Sequence, residues 1–325
     1  MPGQAIVSLE PGQSPRVGVV PSVSVIVSTR NRPEHIVQCV QSVLASPDSD
    51  FELVVVDQSD TDESRRIVEA AVSDDRLRWV STKTKGLSIS RNIGVKSARA
   101  PVIAFTDDDC RVSPDWVSGL RDLFATDREA ALVFGRVLRS AKEASGGFAA
   151  EFDPAEPREY RGSFPHVLEA WGIGANMTLR REVLNRIGPF DPALGAGALF
   201  RAGEDADITI RVIAAGFKLL HVSGATVTHL GVRHGTEASH LLRGYGVGLG
   251  ATIAKHVRLG TKGSGRLLAD WIALQGQRCL GNAIFGRRPT GIGMVASSIW
   301  GAGRSCVHGI DRSRSIYVPE AGRSE

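Results

Sequence analysis

Short β-branched runs alternate, over the first hundred residues, with segments whose apolar side chains return every three or four positions. Val23-Ser-Val-Ile-Val27 predicts a strand. Ile36, Val37, Val40, Val43 and Leu44 then recur at helical spacing, with Pro33 suited to the first turn. Leu53-Val-Val-Val56, apolar on both faces, predicts a buried parallel strand. A helix over Glu63–Val72, a strand at Arg78-Trp-Val80, a helix over Ser88–Ala98 and a strand at Val102-Ile-Ala-Phe105 complete the series. This alternation predicts an α/β fold with a mostly parallel sheet flanked by helices, whose ligands bind beyond the carboxyl ends of the strands. Three of those four strands run into polar residues: Ser28-Thr-Arg30, Asp57-Gln-Ser59 and Asp107-Asp-Asp109.

The pattern loosens after Leu132-Val-Phe-Gly135. Ala141–Pro165, with several Gly and Pro, is expected to be a long mobile loop. A helix over Arg181–Ile187, another opening at Gly203-Glu-Asp205 and stopping at Gly216, and a last strand over Val222–Thr228 ending at His229 follow. Residues 1–20 are expected to form a Pro- and Gly-rich flexible leader, 21–236 the α/β unit, and 237–325 a helical, basic extension.

Composition narrows the class. In 325 residues, 42% are hydrophobic and 23% charged, enough apolar material for a sizeable core and too much charge for a polytopic membrane protein. No stretch reaches the ~20 apolar residues of a spanning helix, and no charged-then-apolar leader signals secretion. The four cysteines, Cys39, Cys110, Cys279 and Cys306, have neither disulfide-scaffold nor zinc spacing, so a reducing cytoplasm is expected. The net charge of +4 divides unevenly: residues 240–325 carry 12 basic and 4 acidic side chains, the rest 27 and 31. A basic tail on an acidic body points to an anionic partner, and a peripheral place on the inner face of a membrane suits it better than nucleic acid, for which no recognition motif is present. Trp271, Phe285 and Trp300, with Arg287, Arg288 and Arg304, are the residues expected at such a surface; the alternative is a helical subdomain packed on the body.

Three adjacent carboxylates at a strand end repel one another unless a cation neutralises them. Asp107-Asp-Asp109 is therefore either a solvated acidic turn or a site for a hard divalent ion such as Mg²⁺ or Mn²⁺. His229 is an ordinary satisfied histidine or a third ligand, and His221, His234 and His240 lie close to it in sequence. Glu204-Asp205 either caps its helix or supplies a general base, kept ionised by the helix-end field. Arg91 is a surface arginine or a clamp for phosphate or carboxylate.

Taken in order, these segments resemble glycosyltransferase family 2, the inverting GT-A transferases. The resemblance is carried by Val23-Ser-Val-Ile-Val-Ser-Thr-Arg-Asn31, Val54-Val-Val-Asp57, Gly86-Leu-Ser-Ile-Ser-Arg-Asn-Ile-Gly94, Phe105-Thr-Asp-Asp-Asp109, Gly174-Ala-Asn-Met177, Gly188-Pro-Phe-Asp191 and Gly203-Glu-Asp-Ala-Asp207. It implies a GT-A-like sheet and a nucleotide site at Ser28, Arg30, Asp57, Arg91, Asp107 and Asp108. It implies a Mn²⁺ or Mg²⁺ site at Asp109, Asp107 and His229, and a catalytic base at Asp205 with Glu204. Trp171 and Asn176 would shape the acceptor and sugar pocket. Gln58 stands where many members have a second Asp, and Arg30 where an aromatic is common. Gln275-Gly-Gln-Arg-Cys279 lacks the Trp of the processive QxxRW signature, which favours addition of a single sugar.

The resemblance thus implies metal-dependent, inverting transfer of one sugar from a nucleotide-sugar donor to an acceptor hydroxyl of a glycan or lipid-linked acceptor, in cell-envelope polysaccharide, glycolipid or other glycoconjugate synthesis. A nucleotidyltransferase is the first alternative, although the loop after the first strand, Ser28–Pro33, lacks glycine. A non-catalytic nucleotide-sugar binding protein is the second.

Overall fold

The computed structural model describes residues 20–140, 147–162, 170–284 and 292–318. The leader 1–19 lies outside the described residues, as do Phe285, Arg287 and Arg288.

The β-branched runs form β1 (Val23–Thr29), β2 (Phe51–Asp57), β3 (Leu77–Ser81) and β4 (Val102–Asp107), linked by α1 (Pro33–Leu44), α2 (Glu63–Ala71) and α3 (Leu87–Ser97). They pair in parallel in the order β3-β2-β1-β4. Every residue of β2 is buried, as its two-faced apolar pattern requires. The register sets Thr29 beside Asp57 and Ser28 beside Asp107, which aligns the polar strand ends on one edge.

Beyond β4 come β5 (Cys110–Val112), α4 (Trp116–Thr126), β6 (Ala130–Phe134), β7 (Val137–Arg139), β8 (Arg158–Arg161) and β9 (Met177–Arg180). Then follow α5 (Arg181–Ile187), α6 (Glu204–Ala214), β10 (Lys218–His221) and β11 (Val227–His229). The large sheet continues β4-β9-β6-β10-β8, with β9 antiparallel to both neighbours and β8 antiparallel to β10. Its two faces are covered by separate cores: Trp116, Leu120 and Phe124 of α4 join α1 and α2 on one, while Phe105, Ile208 and Val212 join α5 on the other.

Two expectations are corrected. The strand expected over 222–229 shrinks to β11, Val227–His229, and a separate strand, β10, precedes it in another sheet. β10 ends at His221, the chain bends through Ser223-Gly-Ala225, and β11 joins a three-stranded sheet, β5-β11-β7. The expected loop 141–165 contains, within its described part, the edge strand β8, and backbone bridges join Val137 to Phe152 and Phe148 to Arg233.

The tail folds as α7 (Gly235–Leu259), α8 (Ser264–Ile284), α9 (Ile292–Cys306) and a hairpin of β12 (Ile310–Asp311) and β13 (Ile316–Tyr317). α7 and α9 pack backbone to backbone: a Cβ on Gly301 would run into the Val247 carbonyl oxygen. Among the described residues no helix is long and apolar enough to cross a membrane.

Candidate active site

Asn31, just beyond β1, adopts a left-handed conformation, φ 54°. Its side chain accepts from the Asp60 backbone N–H (2.9 Å) and donates to the Asp60 carboxylate (2.8 Å), tying the loop after β1 to the loop after β2. Arg32, next in this loop, reaches across to the acidic end of β4. Its guanidinium lies 2.9 Å from Asp108 and 3.2 Å from Asp109. Thr29 also donates to Asp108, at 2.8 Å. Burial, only partly offset by Arg32, pushes the Asp108 carboxyl up to about 6.

The three carboxylates thus already have cationic neighbours. Asp108 and Asp109 share Arg32, and Asp107 faces Arg91 at 3.5 Å. Arg32 was missed in the sequence. The signal was available, because β1 and β4 are neighbours and a cation just past β1 must fall near the end of β4.

Arg91 is not a surface residue. It is 2% exposed, its guanidinium lies over the Phe105 and Phe190 rings, and it donates to Glu204 (3.0 Å) and to the Gly174 carbonyl (3.2 Å). One arginine therefore joins the end of β4 to the start of α6.

That start is set by Gly203, whose φ of +94° suits glycine and whose added Cβ would meet Thr252 Oγ1 of α7. Glu204 behind it is buried. Burial and the adjacent Asp205 charge raise its carboxyl to about 7, against the lowering expected from the helix end. Desolvation outweighs the dipole because Arg91 is divided between two acids. Asp205 is half-buried and accepts from the Gly174 backbone N–H (3.2 Å). Asp207 sits 200° further round the helix and points the other way, into a fully buried network. It accepts from Arg211 (2.7 Å), Lys255 (2.6 Å) and His256 (2.9 Å). Burial alone would raise its pKa, but the Arg211 and Lys255 cations prevail and hold it well below the carboxylate range.

The small sheet pairs His229 with Cys110 and brings its Nε2 to 3.5 Å from Asp109, while Gly231 N–H donates to its Nδ1. His221 instead lies in the core among Phe134, Phe152 and Tyr160. Asp109, Cys110 and His229 present ligand atoms within 4.8 Å of one another. Burial pushes the Cys110 thiol well up, so it stays protonated and is no ligand for a hard ion. The carboxylate suits Mn²⁺ or Mg²⁺, and the imidazole beside it tips the pair towards Mn²⁺. Beside Asp107 in the β1–β4 register, Ser28 Oγ is buried with no hydrogen-bond partner among the described residues.

Asp57, at the end of β2, accepts from the Ser59 backbone N–H (2.8 Å), and Arg30 lies 3.8 Å from Asp60. The last two predicted residues lie against the scaffold. Asn176 is buried and accepts from the Trp116 indole (2.9 Å) while donating to the Arg136 and Ala225 carbonyls, so its amide is spent on the scaffold. Trp171 packs against Ile210, Ile253 and Trp271 beneath the C-terminal helices.

Residues 24–188, half of the chain, match the family model described as Glycosyl transferase family 2. A glucosyl-dolichyl phosphate glucuronosyltransferase of Haloferax volcanii is 28% identical over 227 residues, 68% of this chain and 72% of that protein. The chondroitin synthase of Escherichia coli is 34% identical over 116 residues, but these are 35% of this chain and 17% of the synthase. Two solved structures share the fold at 18% identity. The mannosyltransferase PcManGT from Pyrobaculum calidifontis, in complex with GDP-Man and Mn²⁺, has a TM-score of 0.59 over 94% of this chain and 91% of that one. Staphylococcus aureus TarS 1–349, in complex with UDP-GlcNAc, has a TM-score of 0.54 over 70% of this chain and 66% of that one. The chain thus spans less than two thirds of several of the proteins it matches.

Proposed function

The chain belongs to glycosyltransferase family 2, and from that premise we propose that it moves one sugar from a nucleotide-sugar donor to an acceptor hydroxyl, with inversion and with a divalent metal. One observation carries the reading. The acidic end of β4 and the acidic start of α6 lie on either side of Arg91, 3.5 Å from Asp107 and 3.0 Å from Glu204. That placement suits a leaving diphosphate at one end and a proton acceptor at the other.

Ser28, Arg30 and Asp57 would line the nucleotide pocket, beyond the carboxyl edge of the sheet. Arg32 and Arg91 bring positive charge to the place where the diphosphate departs. Asp107, Asp109 and His229 would hold Mn²⁺ or Mg²⁺, and the chemistry such an ion supplies when bound is neutralisation of charge on the leaving group. Asp205, half-buried and turned from the Asp207 network, takes the proton of the acceptor hydroxyl. The oxygen then attacks the anomeric carbon opposite the diphosphate. The new C–O bond forms as the old one breaks, the bonding pair leaves with the nucleoside diphosphate, and one displacement inverts the centre. Glu204 holds Arg91 and so keeps the two ends in register.

A lipid-linked acceptor in cell-envelope or glycoconjugate synthesis fits the basic extension and is supported by the relative whose name contains a dolichyl phosphate. On this reading the protein works at an anionic membrane surface, through residues 237–325.

The test combines calorimetry of nucleoside diphosphates and nucleotide sugars, with and without Mn²⁺, with product analysis by NMR. Metal-dependent binding of one donor, lost in Asp109→Ala, and a product of inverted configuration are expected. Asp205→Asn should bind donor normally and lose about 10²–10⁴-fold in kcat. Donor binding without metal, retention of configuration, or full activity in Asp205→Asn would each refute the corresponding part.

A further inference from the structure

The groove between the C-terminal helices plays no part in the chemistry above. α7, α8 and α9 enclose about 580 Å³ there, inside the range of small-molecule sites. Val257, Leu268, Trp271, Ile272, Val295 and Ile299 make walls of carbon, and only Arg258, Ser298 and Cys306 add polar side chains. The groove opens to solvent: Ile272 is 57% exposed, Ile299 65%, and the neighbouring Trp300 50%. A concave site of this volume with carbon walls and few polar groups suits an apolar ligand.

Charge selects the occupant. Arg258 lines the groove, its guanidinium held by the Ser305 and His308 carbonyls with its charge unneutralised, and Arg304 stacks over the Trp300 ring on the flank of α9. Among the described residues neither has a carboxylate within ion-pair distance. A second copy would press the same cationic tail, 12 basic against 4 acidic side chains, onto this one. An amphiphile with an acidic head and a hydrocarbon chain satisfies both the carbon walls and the guanidinium groups. Position agrees, because Ile253 and Trp271 share a buried cluster with Ile210 of α6, which places the groove behind the helix that carries Glu204 and Asp205.

We infer that this groove binds the hydrocarbon chain of the lipid-linked acceptor, with the lipid's phosphate near Arg258 and Arg304. The inference rests on the lipid-acceptor reading above and adds to it a site on this chain.

The experiment titrates the full chain with octyl phosphate, dodecyl phosphate, dodecyl maltoside and inorganic phosphate, below their micellar concentrations. Tryptophan fluorescence and calorimetry are the readouts. Affinity should rise about fourfold per added methylene until the groove is full. Inorganic phosphate should not bind, and dodecyl maltoside should bind at least tenfold more weakly than dodecyl phosphate. Ile272→Glu and Ile299→Glu, both at exposed positions, should each weaken dodecyl phosphate at least tenfold. Absence of binding, or binding unchanged in both variants, overturns the inference. Equal binding of the maltoside overturns the anionic head. Binding to anionic liposomes without binding of free dodecyl phosphate overturns the chain site in favour of a surface. A dimer in sedimentation that the two variants dissolve assigns the face to a second copy and overturns it as well. Nucleotide binding, measured in the same samples, separates the readings: chain binding without nucleotide binding refutes the transferase and leaves the groove, and the converse refutes the groove alone.

Discussion

Lys255, wholly buried in α7, holds its ammonium 2.6 Å from Asp207 of α6. It also meets Asp191 at 2.7 Å and donates to the Ser315 carbonyl at 2.9 Å, while Tyr317 N–H donates to the same Asp191 (3.0 Å). One lysine thus binds the helix of the candidate base, the loop before it and the C-terminal hairpin. Lys255→Met leaves two buried carboxylates short of a cation and should cost about 3–5 kcal/mol. Thermal and denaturant unfolding read the loss directly, and kcat should fall with it as α6 shifts.

Arg91 makes a second such junction, but within the cleft. Lysine at this position keeps the charge and loses the fork that reaches Asp107, Glu204 and the Gly174 carbonyl together. Arg91→Lys is expected to fold, to bind donor about tenfold more weakly, and to lose more in kcat than in KM. Steady-state kinetics beside donor calorimetry will show whether the loss divides in that way.

The raised carboxyl of Glu204 makes a pH prediction. Its pKa rises from 4.5 in the unfolded chain to about 7 in the fold, so the folded protein holds the proton more tightly. Stability from this group is present below about pH 4.5 and is lost as pH rises towards 7. Glu204→Gln, which mimics the protonated acid, should therefore stabilise the protein at pH 8 by about 1–3 kcal/mol, with the gain vanishing near pH 4. Urea titrations at the two pH values measure it, and equal effects at both would contradict the assignment.

Gly203 tests the α6 start from the backbone side. Alanine there must adopt a φ of +94° and push its Cβ into Thr252. A loss of about 1–3 kcal/mol is expected, measured by denaturant unfolding, with a fall in kcat. Gly216→Ala shares the positive φ but meets no atom within 4 Å, and should cost less.

The parallel half of the sheet was legible because buried β-branched runs and amphipathic helices carry their own period. Asp107–Asp109 could be singled out because acids crowded at a strand end repel one another, and Glu204-Asp205 because a paired acid after a glycine marks a helix start. What could not be read depends on distance along the chain. β9 is four residues long and antiparallel between two partners far away in sequence, so no local period announces it. Lys255 lies 48 positions from Asp207, and nothing near it distinguishes it from a solvated lysine. Asn176 was singled out by the family resemblance alone, and nothing local in the sequence announces its bonds to Trp116, Arg136 and Ala225, which lie 40 to 60 positions away.

A guanidinium shared by two acids makes the occupancy of one depend on the other. A divalent cation held by Asp107 at the β4 end would leave Arg91 wholly to Glu204, whose ionised form then becomes the easier one. Seating the ion should therefore expel a fraction of a proton near pH 7, visible as a calorimetric enthalpy that changes with the ionisation heat of the buffer. By reciprocity, affinity for the ion should climb with pH across the same range.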